Sequence, residues 1–556
     1  MDNIDFNNKY TNDSSIMPEN KNNNKKLIVF IVAVALVVAG IGGYFVLKKL
    51  APTAAPGPKP PTGEVGRCGD NVCDRFERTN PSACPKDCMP AESSQPSQPT
   101  SSEQSSALEK SKNQINKDSP FGGLMFFSLD KSLRSKGPPP KPDQFDFKPT
   151  KDLGIKWGRA HYLTWSMVQP TKDAIDKKIY DWSDSDSVLS SYPEGFNVLE
   201  NIVAFSAKVD DTGEHLENFS FSSKNDEDSY ARFIEKAIER YDGDGKDDMP
   251  GLKNPIKYWQ VDNEPDAKTK DWKGYANTLK ITYLAVKKVC PDCKVVAGGM
   301  ALGPNGLTSF FKPALEELNG KYFDIFDYHF YGNKDEWLKN GEQAEEIRKT
   351  FPNYDFEIWL TEMGTWSGKP SFPPSQTAFQ SEKEQAEAVI KYYVKPLSVG
   401  VKKVFWAWGI LEGFGGLENN VFDNTGLIYD GDGPNDLGFG VKKLGYYTYK
   451  KMVEVLEGSD WNNIQTIQEQ SGVYVYKFIK NGKPIWVAWN DNSAEKQVTI
   501  SGVNSSSVKI TEAVPNYETG KEVKNYDTAF KTETKNIINN KLTIILGETP
   551  VFAEGE

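Results

Sequence analysis

The sequence predicts an α/β chain in which a (β/α)8 barrel is preceded by a membrane-spanning helix and followed by a small antiparallel β domain. Three observations carry this. Between residues 117 and 457, short apolar strands alternate with amphipathic helices. From residue 458 the helical periodicity stops, and apolar segments separated by Asn/Gly turns take over. Near the N-terminus, "LIVFIVAVALVVAGIGGYFVL" (27–47) is an uncharged apolar run long enough to cross a bilayer.

Residues 1–26 are mostly polar and are read as a short cytoplasmic tail. Lys25 and Lys26 precede the apolar run and Lys48 and Lys49 follow it, so charge alone barely orients it. A cleaved signal peptide is the rival. The run is long for one, sits behind a polar tail and lacks an obvious small-residue cleavage site. A single-pass anchor in the cell membrane, with the rest of the chain extracellular, is the expectation.

Residues 48–67 read as a Pro-rich linker and 89–116 as a flexible Ser/Pro/Gln linker. Between them, "CGDNVCDRFERTNPSACPKDC" (68–88) is too short to build a core. Cys68, Cys73, Cys84 and Cys88 are therefore disulfide candidates, which suits an outward-facing segment. Four thiolates on zinc are the alternative, but the spacing is not a paired CxxC and acidic residues crowd the segment. The segment resembles small Cys-Gly-Asp modules of secreted prokaryotic proteins. Asp70, Asn71, Asp74 and Glu77 offer oxygen ligands to calcium, with a solvated acidic surface as the plainer reading. Cys290 and Cys293, in "CPDC", are a further candidate disulfide; nothing thioredoxin-like surrounds them.

In the 117–457 region the candidate strands are 123–129, 153–160, 197–205, 256–262, 294–299, 323–331, 356–362 and 401–408. Helical stretches fall at 226–241, 275–289, 308–318 and 381–394, the first and last with apolar residues at three-and-four spacing. Eight strands with intervening helices fit a TIM barrel with enlarged loops. A doubly wound sheet would also alternate, but no Gly-rich phosphate loop follows the first strand. Residues 458–556 then read as the antiparallel β domain.

A net charge of −11 and a pI near 5.2 argue against nucleic acid as a partner, since such binders carry a basic face. Aromatic residues make up 12% of the chain, generous enough for a large core or for an extended sugar-binding cleft.

In a TIM barrel the working residues sit at the C-terminal ends of strands. "YWQVDNEPD" (258–266) closes the fourth candidate strand with Asn263 and Glu264, and "IWLTEMGTW" (358–366) closes the seventh with Glu362. Taken alone, Asn-Glu-Pro is an ordinary turn. Together, the two strands place two carboxyls across one barrel mouth. Glycoside cleavage requires such a pair, one to protonate the departing oxygen and one to attack the anomeric carbon or to activate water.

"QVDNEPD" with "WLTEMG" resembles glycoside hydrolase clan A, whose members carry Asn-Glu-Pro after strand four and a second Glu after strand seven. The likeness covers roughly residues 117–456. It is most similar to family 39, the β-xylosidases and α-iduronidases, with the cellulase and mannanase family 5 close behind. The resemblance implies that Glu264 is the acid/base and Glu362 the nucleophile. It further implies that Arg159, in "KWGRA", buttresses the nucleophile and that Asn263 contacts the sugar 2-hydroxyl. His329 and Tyr331, in "DYHFYGN", match a His-x-Tyr in which the tyrosine bonds Glu362. Trp406 or Trp408 resembles the aromatic floor under the sugar, and period two sends both to one face. "LTWSMVQP" (163–170) is similar to a Trp-Ser and Gln-Pro loop of these enzymes. Asp262 stands where several clan families have Trp or Gly.

His161 reads as structural or loop-borne and His215 as exposed. The acidic loop "YDGDGKDDMPG" (241–251) invites calcium, but Lys246 and the placement of its glycines break the EF-hand pattern, leaving a solvated turn. The expected protein is a membrane-anchored extracellular glycosidase acting on poly- or oligosaccharides by double displacement, with no metal or other cofactor in the site. Competing readings are a non-catalytic carbohydrate-binding surface protein on a glycosidase-like barrel, and a surface scaffold in which the barrel is only a spacer.

Overall fold

A computed structural model describes residues 117–124, 145–203, 221, 223–371, 378–407, 410–413, 420–431, 436–518 and 521–556. The apolar run at 27–47, both linkers, the module of Cys68, Cys73, Cys84 and Cys88 with its calcium ligands, His215 and Trp408 lie outside these residues. No helix among the described residues is long and apolar enough to cross a membrane.

Eight parallel strands close into a barrel in chain order. They are β1 (Phe121–Leu124), β2 (Trp157–Thr164), β3 (Asn197–Val203), β4 (Tyr258–Asn263), β5 (Lys294–Met300), β6 (Ile325–Tyr331), β7 (Glu357–Gly364) and β8 (Lys403–Trp406). β1 pairs with β8 as well as β2, which removes both sheet edges. The second strand begins four residues later than its apolar pattern suggests. Leu153 instead ends a short helix, Lys148–Leu153, which Gly154 terminates in a left-handed conformation at φ 76°.

Helices pack outside the barrel. In α1 (Lys224–Tyr241), Ser223 caps the N-terminus and Tyr230, Phe233, Ile234, Ala237, Ile238 and Tyr241 form the buried face. α2 (Trp272–Val289) begins earlier than its apolar period suggests, because Asp271 caps it through the Gly274 amide. The next stretch runs through a π-helical turn at Leu307–Phe311. Between β6 and β7 lies α3 (Trp337–Thr350), absent from the sequence reading. α4 (Glu382–Ser398) starts with a Ser381/Glu384 capping box, and α5 (Leu444–Leu456) closes the circuit.

The lumen is layered. At the level where the strands enter, Trp157, Leu199, Val296, Ile325, Trp359 and Phe405 pack together, with Tyr258 against them. Side chains two residues further along a strand share its face. Besides Gly298 and Ala407 these are Arg159, Asn201, Gln260, Asp327 and Thr361, five buried polar residues. The barrel is thus apolar at its base and polar beneath its mouth.

The C-terminal domain is antiparallel throughout, as the sequence suggests. Six strands lie in the order β14-β13-β16-β11-β10-β9, and β12 pairs with β15. They are β9 (Gln465–Gln470), β10 (Val473–Lys480), β11 (Lys483–Asn490), β12 (Lys496–Ser501), β13 (Ser507–Glu512), β14 (Thr532–Asn536), β15 (Lys541–Leu546) and β16 (Val551–Gly555). β9 and β14 are too polar to have been recognised as strands.

The two domains share a seam. Trp337, on α3, meets Tyr474 and Trp489 edge-on at 4.6 and 5.0 Å, and its Nε1 donates to Asp491 Oδ2 at 3.1 Å. Lys391 and Lys395, on α4, bond Asp491 and Glu469, each at 2.7 Å. Trp337→Ala removes a buried aromatic anchor and is expected to cost about 3–5 kcal/mol in denaturant unfolding of the whole chain. A loss below about 1 kcal/mol would show the seam to be incidental.

Cys290 and Cys293 form a disulfide between the end of α2 and the start of β5, and no cysteine among the described residues is free.

Candidate active site

β4 does not end as a regular strand. Asp262 and Glu264 both take left-handed backbone conformations, at φ 67° and 51°, although neither is glycine. Such strain persists only where the surroundings impose it. Here β5 supplies the room. A Cβ on Gly298 would lie 2.5 Å from the Val261 carbonyl, and one on Gly299 would lie 2.0 Å from His329 Nε2. Asp266 ties the following turn to the end of β5 by accepting from the amides of Ala301 and Leu302 at 3.1 and 2.8 Å. The Asn-Glu-Pro stretch is therefore held from beneath and beside.

On β7 the pairing with β6 skips Thr361: Tyr328 faces Leu360, but His329 faces Glu362. This bulge turns two consecutive side chains, Thr361 and Glu362, toward the site, which a regular strand cannot do.

The structure brings Arg159, Asn263, Glu264, His329, Tyr331 and Glu362 together. One carboxylate oxygen of Glu264, one of Glu362 and a ring nitrogen of His329 lie within 4.8 Å of one another. Glu362 is 3% exposed. Its Oε1 accepts from Arg159 Nη1 and its Oε2 from the Tyr331 hydroxyl at 2.9 Å. Arg159 also donates to Asn263 Oδ1 at 2.6 Å and to Gln260 Oε1 at 2.8 Å. Glu264 is more open, with a side chain 30% exposed, and pairs with His329 Nδ1 at 2.8 Å. The ring of Tyr331 stands edge-on to Phe422 at 4.8 Å.

The electrostatics favour the charged form of Glu362. Burial opposes ionisation of Glu362, but His329, Arg159 and the Tyr331 hydroxyl outweigh it and hold its pKa below the ordinary glutamate value. Burial likewise favours neutral His329, yet Glu362, Asp327 and Glu264 push its pKa up to about 10. Burial, followed by the charges of Glu362 and Glu264, raises Tyr331 well above the usual phenol range, so it stays a donor.

Trp406 is buried, and its Nε1 donates to the Thr425 carbonyl at 2.9 Å. Trp165 and Gln169, from the Trp-Ser and Gln-Pro loop, bond each other at 2.9 Å, and Gln169 holds the carbonyls of Ala174 and Ile179. They shape a loop rather than reach the carboxyls. Gln260, Asp327 and Thr361 were missed by sequence reasoning. Asp327 had a signal, since it shares a strand face with His329 and Tyr331.

Arg159 already balances Glu362, and both ring nitrogens of His329 face hydrogen-bond partners, an arrangement suited to two carboxyls rather than to a cation. In the acidic loop, Asp242, Asp244 and Asp248 also converge, but they accept the loop's own amides from Gly243, Asp244, Gly245 and Lys246.

A parallel eight-stranded barrel with paired carboxyls at the ends of its fourth and seventh strands is an arrangement that glycoside cleavage can use. Residues 248–438 match the family model described as the glycosyl hydrolase catalytic core. A family 39 glycoside hydrolase from the gut symbiont Bacteroides cellulosilyticus WH2 has a similar structure, with TM-score 0.53 at 16% identity over 80% of this chain and 82% of that one. The catalytic domain of family 30 xylanase C from Talaromyces cellulolyticus gives 0.50 at 13%, over 78% and 96%. The family 51 arabinofuranosidase from Xanthomonas axonopodis pv. citri gives 0.50 at 11%, over 79% and 96%. No curated protein matches the chain. Residues 248–438 thus match a glycosyl hydrolase catalytic core, the barrel has the fold of these glycoside hydrolase structures, and the chain is a glycosidase.

Proposed function

We propose that this glycosidase cleaves O-glycosidic bonds of poly- or oligosaccharides by double displacement, with retention of anomeric configuration. The approach of the two carboxylates carries this reading. Oxygens within 4.8 Å fit the separation of about 5 Å at which retaining enzymes hold their carboxyls, and fall short of the roughly 6.5–9.5 Å of inverting ones. Glu362, kept ionised by Arg159, His329 and Tyr331, attacks the anomeric carbon while Glu264 protonates the leaving oxygen. Glu264 then takes a proton from water, which releases the sugar from Glu362. Asn263, fixed through Oδ1 by Arg159, turns its amide N–H toward the substrate.

The test is covalent. An activated 2-deoxy-2-fluoro glycoside should label the peptide containing Glu362, and proton NMR should show the first product with the substrate's anomeric configuration. Aryl xylosides, glucosides and arabinofuranosides are the first substrates to try. Inverted product, or label on another residue, removes the double-displacement assignment. Glycan binding without hydrolysis of any substrate points instead to a binding barrel.

We place the enzyme at the cell surface, single-pass and facing outward. The apolar run at 27–47 supports this, as does the Cys290–Cys293 disulfide, a bond that persists in oxidising compartments. Protease treatment of intact cells should release the catalytic fragment; its protection would place it inside.

A further inference from the structure

The polar layer of the lumen lies directly beneath the two glutamates, and the double-displacement steps make no use of most of it. Asp327 is its hub. Oδ2 accepts from Gln260 Nε2 at 2.6 Å and from the Thr361 hydroxyl at 2.5 Å, while Oδ1 accepts from the Thr361 amide at 3.0 Å. On its other side, Asp327 Oδ2 stands 3.6 Å from His329 Nε2, and the Thr361 hydroxyl is 3.3 Å from the same nitrogen. Gln260 in turn accepts from Arg159 Nε. A continuous path therefore runs from Glu362 through Arg159, Gln260, Asp327 and His329 to Glu264, every member before Glu264 being buried.

The geometry points to Asp327 as a positioning residue for the glycosidase reaction, which anchors His329 by Nε2 so that Nδ1 stays on Glu264 and which, through Gln260, sets Arg159 beneath Glu362. This rests on the roles given above to Glu264 and Glu362. The tautomer follows from the partners. With Nε2–H turned toward Asp327, Nδ1 is the nitrogen that exchanges a proton with Glu264. The pair Glu264–His329 then shares one proton. It leaves for the departing oxygen in the first half-reaction and is replaced by one from water in the second.

The charges around His329 come from several elements. Glu264 and Asp266 approach from the end of β4, Glu362 from β7 with Arg159 of β2 behind it, and Asp327 and Tyr331 from its own strand. On the β5 side Gly299 lies against the ring. Removing the negative charge of Asp327 makes the shared proton easier to lose, so the basic limb of kcat/KM moves to lower pH. A weaker positive charge on His329 also makes Glu362 harder to ionise, so the acidic limb moves to higher pH. The profile narrows from both sides.

The test uses the full chain with an aryl glycoside carrying a poor leaving group. Asp327→Asn, which keeps the shape, is expected to lower kcat/KM at its optimum by about tenfold or more, a share of the 10²–10⁴ that general acid–base catalysis supplies, and to narrow the profile. Thr361→Val, which removes one donor to Asp327 and keeps the volume, should narrow it less and in the same direction. Unfolding midpoints near that of the parent establish that both variants are folded, and Thr361→Val serves if Asp327→Asn is not. Unchanged limbs in a folded variant, with Glu264→Gln and Glu362→Gln inactive, overturn the positioning role and leave the glycosidase reading standing. Parent-level hydrolysis by either glutamine variant overturns the site assignment and this inference with it.

Discussion

Glu362→Gln is expected to lower kcat on an activated aryl glycoside by about 10⁴-fold or more, the scale on which removal of a nucleophile acts. An amide of the same shape still accepts from Arg159 through its oxygen, and its NH2 can donate to the Tyr331 hydroxyl oxygen, so the site keeps its outline. The amide is a poor nucleophile, however, and no change of pH restores it. Arg159 and His329 also lose a buried counter-charge. Stability should fall as well, on the scale of about 3–5 kcal/mol seen when one partner of a buried ion pair is removed. Initial rates and denaturant unfolding, measured together, read both effects. A variant within tenfold of the parent rate is incompatible with Glu362 as the attacking group.

Glu264→Ala should have a different signature. Glycosides whose leaving group needs a proton are expected to slow by about 10²–10⁴-fold. A dinitrophenyl glycoside, which leaves unassisted, should still react once per site in a burst, after which hydrolysis of the covalent intermediate limits the rate. Because the Glu264 side chain is 30% exposed, a small anion has access to the vacated space. Azide should therefore restore turnover and yield a glycosyl azide of retained configuration. Equal losses for both leaving groups, with no effect of azide, would show that Glu264 does not handle the proton.

Part of this arrangement is legible in the sequence: Glu264 and Glu362 each stand at the end of an apolar strand, and the resemblance to clan A singles out Arg159, His329 and Tyr331. What stayed hidden has physical reasons. α3 carries Asn340 and Gly341 in its interior and charges on most of its surface, so its apolar spacing is faint. α5 opens with Tyr446, Tyr447 and Tyr449, and tyrosines suit strands as well as helices. β9 and β14 present almost no apolar face. Gln260 and Thr361 are unremarkable polar residues until the barrel closes and gives them partners from strands far away in sequence. The bulge that turns both Thr361 and Glu362 toward the site belongs to the pairing of two strands, and neither strand encodes it alone. Trp406 and Trp408 share a face by alternation, yet Trp406 is covered and bonded to the Thr425 carbonyl, a partner no local pattern could supply.

The hydrogen that Gly299 carries in place of a side chain has a consequence for tracing this enzyme's descent. With the imidazole occupying the volume where even a methyl group would sit, the position tolerates no other residue while the histidine remains. Distant barrels that kept both acids but show alanine or serine there must have moved or surrendered that ring. A search that scores this position beside the two acids would separate chains that still have the proton-sharing pair from those that retain only its outline.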